Sequence, residues 1–226
     1  MSTSSNVILV HGAWADGSSW AKVIPLLADN GLNVTAVQLP LTGFDADVAA
    51  VRRAIALADG EVVLVGHSYA GAVIGEAGND PKVIRMVYVD AFAPDAGESA
   101  GTLFANFKSA PLNDEIRPDA EGFLKLSRAG VFDLFAQDLP EAEKAVIYAT
   151  QGPVHASALG GTLTEAAWRT RATYYLIGDQ DHAIPRAEQE SMAARMNATV
   201  AHVDSSHVPM LSQPQAVASF ILKAAN

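Results

Sequence analysis

The sequence contains no cysteine. This absence excludes a cysteine nucleophile, a thiolate zinc site, an iron–sulfur cluster and a disulfide framework. No apolar run reaches the roughly 20 residues of a membrane-spanning helix, so we expect no membrane association. The chain has 226 residues, of which 50% are apolar, and a chain of this size buries a core without help from a metal. The sequence therefore predicts no metal site.

Basic residues are also scarce, since 15 lysines and arginines stand against 25 aspartates and glutamates, for a formal net charge of −10. A surface of this sign repels phosphate backbones, so we expect no nucleic-acid partner. The N-terminal residues lack the basic start and the long apolar stretch of a secretory signal, and lead directly into an apolar run at 7–10. We therefore expect a cytoplasmic protein.

Short apolar runs alternate with longer helical patterns along most of the chain. This alternation is typical of a parallel sheet with helices on both faces, and most runs lack the polar alternation of half-exposed strands. The predicted strands are 7–10, 33–37, 61–65, 83–89, 172–177 and 198–203. The predicted helices are 17–29, 45–58, 70–77, 185–196 and 214–224. The fold class is therefore α/β, with a six-stranded, mostly parallel, doubly wound sheet.

The alternation breaks between residues 92 and 168, which hold six of the eight phenylalanines. This segment predicts several short helices and no strand of the main sheet. It follows the strand that ends near Asp90, at the sheet edge where open α/β folds bind ligands. We therefore predict a core domain of 1–91 and 169–226 with a helical cap, or lid, at 92–168. The alternative is ordinary helical packing on the sheet.

The predicted strand at 61–65 runs into Gly66 and Ser68 and then directly into a helix. A serine on such a sharp turn presents its hydroxyl at the sheet edge, and the helix N-terminus favours negative charge in a transition state. The motif departs from Gly-x-Ser-x-Gly, because Ala70 takes the fifth position and Gly71 follows. Since alanine is nearly as small, we expect a slightly different turn. Ser68 is the candidate nucleophile; the alternative is a structural turn.

The strand at 7–10 ends in His11 and Gly12. In folds with this nucleophile turn, the loop after that strand supplies one backbone N–H to the oxyanion, and the residue after the nucleophile supplies another. By position these residues are Ala13 and Tyr69, and one such donor is worth about 3 kcal/mol of barrier. We expect His11 to brace the loop rather than to act as a base.

His207 is the candidate base among six histidines. It follows the last predicted strand, in a loop at the edge where Ser68 lies, and it suits the expected order of serine, acid and histidine. By contrast, His202 lies inside that strand and His67 is held in the nucleophile turn. His155 falls in the predicted cap, where we expect it to touch substrate.

Two carboxylates compete for the role of the acid. Asp179 leaves the strand 172–177 almost at once, whereas Asp181 lies further into a loop that can turn towards His207. We favour Asp181, which would hold the imidazole in its working tautomer. Asp204 is a third candidate, although its position indicates a turn residue.

These segments together resemble the α/β-hydrolase superfamily. More narrowly, they resemble the branch that holds methyl salicylate-type methylesterases, hydroxynitrile lyases and small bacterial esterases. The segments that carry the resemblance are 11–14, 66–71, 178–181 and 206–211. The resemblance covers nearly the whole chain outside the cap and implies a six-stranded parallel sheet with a helical cap. It also supports Asp181, because the acid of the family is the last residue of Gly-x-x-Asp.

The lyase branch is poorly supported by two positions. Lyases of this branch that use a lysine carry it directly after the catalytic histidine, where this chain has Val208, and they carry threonine in place of Gly12. We therefore expect a carboxylic ester hydrolase that forms an acyl-enzyme on Ser68 and needs no cofactor. Relatives of this kind are often dimers, so a homodimer is expected by analogy alone.

The aromatic cap indicates an apolar ester of small to medium size. The expected pocket residues are Trp14, Phe132 and His155, with the Tyr69 side chain as a further wall. Other chemistry on the same triad stays open, namely a lactonase, a C–C bond hydrolase or a cofactor-free dioxygenase. So do a ligand receptor with slow turnover and an inactive scaffold protein.

Overall fold

A computed structural model describes residues 6–107 and 111–226. In chain order the strands are β1 (Asn6–Val10), β2 (Asn33–Val37), β3 (Val62–His67), β4 (Val83–Val89), β5 (Ile116–Pro118), β6 (Phe123–Leu126), β7 (Val154–His155), β8 (Ala172–Gly178) and β9 (Thr199–Val203). The α-helices are α1 (Ile24–Ala28), α2 (Phe44–Leu57), α3 (Ala70–Ala77), α4 (Ala100–Asn106), α5 (Glu141–Thr150), α6 (Ala156–Gly160), α7 (Arg186–Arg195), α8 (Pro209–Ser212) and α9 (Pro214–Ala225).

Six parallel strands form the main sheet in the order β2-β1-β3-β4-β8-β9, which confirms the predicted fold class. The chain leaves β1 for β2 on one side and returns to β3 on the other, so the strand order reverses between β1 and β3. Ligands of open α/β sheets bind outside the carboxyl ends of the strands at such a reversal. The register pairs Val10 with Gly66, which places the loops after these two strands side by side.

Burial explains why these segments form central strands. Every residue of β1 and β3 is buried, as expected for strands covered on both faces. Helices α2 and α3 pack on each other and on the sheet, while α1 and α9 form a second packed pair. In α9 the buried side chains follow helical spacing, at Val217, Phe220, Ile221 and Ala224. Each large apolar side chain buried in this way contributes about 1.5–3 kcal/mol.

The predicted helix at 17–29 divides into a 3-10 turn, Gly17–Trp20, and the short helix α1. Pro25 lies in the first turn of α1, where its missing N–H costs nothing. The α-helix therefore begins later than the predicted 17–29, at Ile24. Among the described residues, no helix has both the length and the apolar composition needed to cross a bilayer.

The segment 92–168 holds helices α4, α5 and α6 and also an antiparallel sheet in the order β5-β6-β7. The expectation of helices alone is corrected here, because strands of two to four residues are too short to show alternation in the sequence. None of these three strands joins the main sheet. Helix α5 has no buried residue, so it lies on the surface of the molecule.

A close backbone contact joins this segment to the nucleophile turn. The carbonyl of Ser68 accepts hydrogen bonds from the N–H groups of both Gly71 and Phe92. A Cβ at Gly71 would lie 2.0 Å from the carbonyl oxygen of Phe92, so no side chain fits there. Ala70, by contrast, keeps its Cβ in full burial. Gly71, which lies one position after the usual second glycine of the motif, is thus the residue where helix α3 meets the backbone of Phe92.

We predict that Gly71→Ala lowers the free energy of unfolding by roughly 1–3 kcal/mol, because the new methyl group must push two backbones apart. Gly160→Ala is the matched control, since nothing lies within 4 Å of a Cβ at that position. Its effect should stay within about 0.5 kcal/mol. Urea unfolding followed by circular dichroism measures both values. Equal stability of the two variants would contradict the contact described here.

Candidate active site

Ser68 follows β3 directly and has a φ of 54°, in the left-handed region that non-glycine residues rarely adopt. Such a conformation costs on the order of 1–3 kcal/mol and persists where the surroundings enforce it. The turn holds Ser68 Oγ at the carboxyl edge of the sheet, before helix α3 begins at Ala70. The predicted strand–serine–helix turn is therefore present.

Three side chains form a hydrogen-bonded chain at this edge. His207 Nε2 lies 2.8 Å from Ser68 Oγ, and His207 Nδ1 lies 2.7 Å from Asp181 Oδ2. Because a carboxylate only accepts, Nδ1 carries the hydrogen and Nε2 is left as the acceptor for the serine hydroxyl. This tautomer is the one that a general base requires. The structure thus brings together the three residues that the sequence singled out.

Asp181 is held by four donors in a buried loop. Its Oδ1 accepts from the N–H groups of Ala183 at 2.7 Å and Ile184 at 3.0 Å. Its Oδ2 accepts from Gln189 Nε2 at 2.8 Å as well as from His207. These donors replace the water that burial removes from the carboxylate. Gln189 is a member of the site that the sequence analysis missed, since a glutamine inside helix α7 carries no motif.

Asp179 is engaged elsewhere. Its Oδ1 lies 2.9 Å from Arg186 and 3.0 Å from His202 Nδ1, near the protein surface. Asp204 is exposed, and it is Asp181 rather than Asp204 that bonds to His207 Nδ1. The geometry therefore selects Asp181 as the carboxylate that contacts the imidazole.

Two backbone amides adjoin the serine without any acceptor of their own. The loop after β1 approaches so closely that a Cβ at Gly12 would lie 2.7 Å from the Cβ of Ser68. The next residue is Ala13, and the residue after the nucleophile is Tyr69. Among the hydrogen bonds of the described residues, none is donated by the N–H of Ala13 or Tyr69. Both amides are thus available to a ligand atom beside Ser68.

His11 braces this loop, as expected. Its Nε2 accepts from the N–H of Leu39 at 2.9 Å, and its Nδ1 lies 2.9 Å from the carbonyl of Gly12. Since Nε2 is an acceptor, Nδ1 carries the hydrogen and donates to that carbonyl. Burial lowers the pKa of His11, so the ring stays neutral while it holds the loop.

His67 is a second histidine of the site with a structural role. Its ring lies 4.8 Å from that of His207, and its Nε2 donates to the His207 backbone carbonyl at 2.7 Å. The pKa of His67 lies well below its ordinary value, mainly because the ring is buried and, to a smaller extent, because His207 is close by. A neutral His67 adds no positive charge beside the imidazole of His207, which is therefore free to accept a proton.

A mostly apolar cavity of about 190 Å³ opens beside the serine. Its walls include Trp14, Phe92, Phe104, Leu112, Leu124, Leu159 and Ile184, together with Ser68 and His207. The Trp14 indole donates to the carbonyl of Leu124 at 2.9 Å, which fixes this wall. A larger cavity of about 370 Å³ lies on the other side of Trp14, but Ser68 and His207 do not line it.

Of the three pocket residues predicted from the sequence, only Trp14 lines the cavity at Ser68. Phe132 instead packs under the guanidinium of Arg128, 3.7 Å from its ring centre. His155 lies against Phe123 and bonds to Ser157 at 2.7 Å. His155 is the last residue of β7 and Phe132 lies in the helical turn Gly130–Phe135, and the sequence pattern revealed neither element.

Tyr69 contributes to the cavity wall, but its hydroxyl is committed to the protein. It donates to buried Asp47 Oδ2 at 2.8 Å, and Asp47 Oδ1 accepts the N–H of Leu41 at 2.8 Å. Burial raises the pKa of Asp47. This contact ties helix α3 to helix α2 and keeps the residue after the nucleophile in place.

Comparison with known proteins gives a consistent family. The model of the alpha/beta hydrolase family matches residues 7–220. Methylesterase 1 of Arabidopsis thaliana is 26% identical, with 97% of this chain and 95% of the relative covered. Alpha-hydroxynitrile lyase of the same plant is 27% identical, with 95% of each chain covered.

Solved structures agree with this assignment. The crystal structure of a pyrethroid hydrolase from Sphingobium faniae JZ-2 superposes with a TM-score of 0.86 at 25% identity, with 99% of this chain and 98% of that chain covered. The match to the family model spans most of the chain, and the sheet and its crossovers are those expected of the fold. The chain therefore belongs to the alpha/beta hydrolase family, on the branch of the methylesterases and hydroxynitrile lyases.

Proposed function

We propose that this protein is a serine hydrolase that cleaves carboxylic esters of small to medium apolar substrates through an acyl-enzyme on Ser68. The observation that carries the proposal is the chain of hydrogen bonds from Ser68 through His207 to Asp181 at the mouth of an apolar cavity. A serine hydroxyl is a weak nucleophile, and an adjacent oriented base is what activates it. The two free amides supply what the reaction needs next.

In the proposed mechanism His207 Nε2 takes the proton of Ser68 as Oγ attacks the ester carbonyl. The N–H groups of Ala13 and Tyr69 bind the resulting oxyanion. His207 then returns the proton to the departing alcohol, which leaves the acyl group on Ser68. Water loses a proton to His207 and attacks the acyl-enzyme, and the acid is released as Ser68 regains its proton.

The cavity supports an apolar ester rather than a charged substrate. Among the described residues that line it, His207 is the only histidine, and no lysine or arginine is present. A carboxylate or phosphate substrate would therefore lose its hydration without gaining a cation. The same lining offers no ammonium for cyanide, which agrees with Val208 at the position after the histidine. The names methylesterase and pyrethroid hydrolase, carried by relatives, fit a hydrolytic reaction.

We predict that Ser68→Ala abolishes turnover of every ester that the wild type hydrolyses, with kcat lower by about 10⁴-fold or more. A panel of esters with varied acyl and alcohol parts identifies the substrates. For an ester whose acyl-enzyme is hydrolysed slowly, the wild-type protein should release a burst of alcohol equal in amount to the enzyme. It should also react with a fluorophosphonate at Ser68.

Ser19→Ala is the matched control, because this serine lines the larger cavity on the other side of Trp14. It should keep full activity and full labelling. Ester turnover that survives in Ser68→Ala would refute the acyl-enzyme. If the wild type binds an ester of the panel tightly but hydrolyses none of them, the result would favour a ligand receptor.

A second prediction concerns the acid. Asp181→Asn should lower kcat by about 10⁴-fold, because an amide favours the tautomer of His207 that places hydrogen on Nε2. Asp179→Asn removes only partly exposed ion pairs with Arg186 and His202, so it should leave kcat unchanged. Steady-state kinetics on the best ester of the panel measures both. The reverse ranking of the two variants would show that Asp181 is not the acid.

A further inference from the structure

Asp90 is a buried carboxyl group that the proposed mechanism does not use. It follows β4 directly, has a φ of 43° and is 0% exposed. Its Oδ1 accepts the N–H of Gly178 in a short hydrogen bond. A Cβ at Gly178 would lie 2.7 Å from Asp90 Oδ2, so the glycine before the Asp181 loop leaves room for this carboxyl group.

Two buried oxygen atoms near Asp181 have no hydrogen-bond partner among the residues that the structure describes. They are Oδ2 of Asp90 and Oε1 of Gln189. The Gln189 side chain adjoins Asp90 and is fully buried. Its Nε2 is already used, since it donates to Asp181 Oδ2 and to the carbonyl of Ile184, both at 2.8 Å. If the amide were flipped, Oε1 would face these two acceptors with no hydrogen between them. The orientation of the Gln189 amide is therefore fixed.

The charges around Asp90 oppose a second anion. Atoms of Asp90, Asp181 and His207 lie within 4.8 Å of one another. The charges that act on Asp90 are those of Asp181 and, more weakly, Asp138, whereas the Gly178 N–H and the Gln189 side chain act in the opposite sense on its pKa. From β8, the neighbouring hydroxyl of Tyr175 is neutral, because burial raises its pKa, and it donates to the Ala91 carbonyl. Burial and then Asp181 raise the pKa of Asp90 well above its ordinary value.

We propose that Asp90 is a positioning residue that remains a neutral acid and donates its Oδ2 hydrogen to Gln189 Oε1. One proton then satisfies both unpaired oxygens. It also fixes the glutamine amide so that Nε2 stays directed at Asp181. The hydrogen-bonded chain of the site runs from Ser68 through His207, Asp181 and Gln189 to Asp90. The catalytic consequence rests on the proposed function, whereas the protonation of Asp90 does not.

Asp90→Asn is the test variant, because asparagine keeps a donor for Gln189 and an acceptor for Gly178 without a charge. As the conservative variant, it should retain at neutral pH most of the kcat that Asp90→Ala loses. Infrared spectra of the wild type should show the carbonyl band of a protonated carboxylic acid above the amide I region, and Asp90→Asn should lack it. The Ser68→Ala protein should retain the band, so the spectrum tests Asp90 without any substrate.

The pH dependence of stability is an independent test of whether Asp90 is protonated in the folded protein. A native pKa above the ordinary value of about 3.9 means that the contribution of Asp90 to stability is full below that pH and is lost as the pH rises. Asparagine does not titrate. The melting temperature of Asp90→Asn relative to the wild type should therefore increase as the pH rises from 4 towards 8.

A double-mutant cycle tests the contact with Gln189. Asp90→Ala should lower kcat roughly tenfold with KM unchanged, and should have little further effect in a Gln189→Ala background. Additive effects would overturn the link between the two residues. Three results would each show an ionised Asp90. The first is absence of the infrared band, and the second is a melting temperature of Asp90→Asn, relative to the wild type, that falls with rising pH. The third is loss of kcat in a folded Asp90→Asn protein. If the band is present but no ester is hydrolysed, only the proposed function fails.

Discussion

The hydrogen bond between Ser68 and His207 depends on the register of a parallel sheet. All six strands end at one edge, and pairing of Val10 with Gly66 and of Gly178 with Val203 sets which loops meet there. Residues 139 apart in sequence therefore lie 2.8 Å apart. A shift of one residue in any pair would turn the side chains to the opposite face of the sheet. Close packing of specific side chains on both faces of β1 and β3 opposes that shift and so protects the chemistry.

Burial imposes a second requirement, because ionisable groups in a dry site must be satisfied by the protein itself. Asp181 receives donors from a turn and from Gln189, while His11 and His67 are neutral rings whose hydrogens are fixed by backbone carbonyls. Of His11, His67 and His207, only His207 has an acceptor atom directed at an alcohol. The surroundings of the triad thus determine which nitrogen can accept a proton, and low polarity strengthens each of these contacts.

The features that could be predicted from the sequence are those with a period or a local turn. Strands of five to seven residues are visible as apolar runs, and Ser68 lies on a strand–helix turn with its own signature. The cap strands β5 to β7 are too short for such a pattern, so the position of His155 on β7 could not be inferred. Phe132 lies in the helical turn Gly130–Phe135, which is also too short to show a period. Gln189 and Asp90 were missed for another reason. Their roles arise from contacts with residues at least eight positions away, which no local pattern records.

Backbone strain is concentrated where these side chains are needed. Trp14, Leu41, Ser68 and Asp90 each follow one of the four adjacent strands β1 to β4, and each has a φ between 43° and 59°. Glycine would adopt these conformations without strain, at about 1–3 kcal/mol less cost for each residue. It would also remove the cavity wall, the nucleophile or the buried acid. The strain is therefore stable only because the close-packed sheet edge holds each backbone, and this same packing keeps Ser68 Oγ in line with the imidazole.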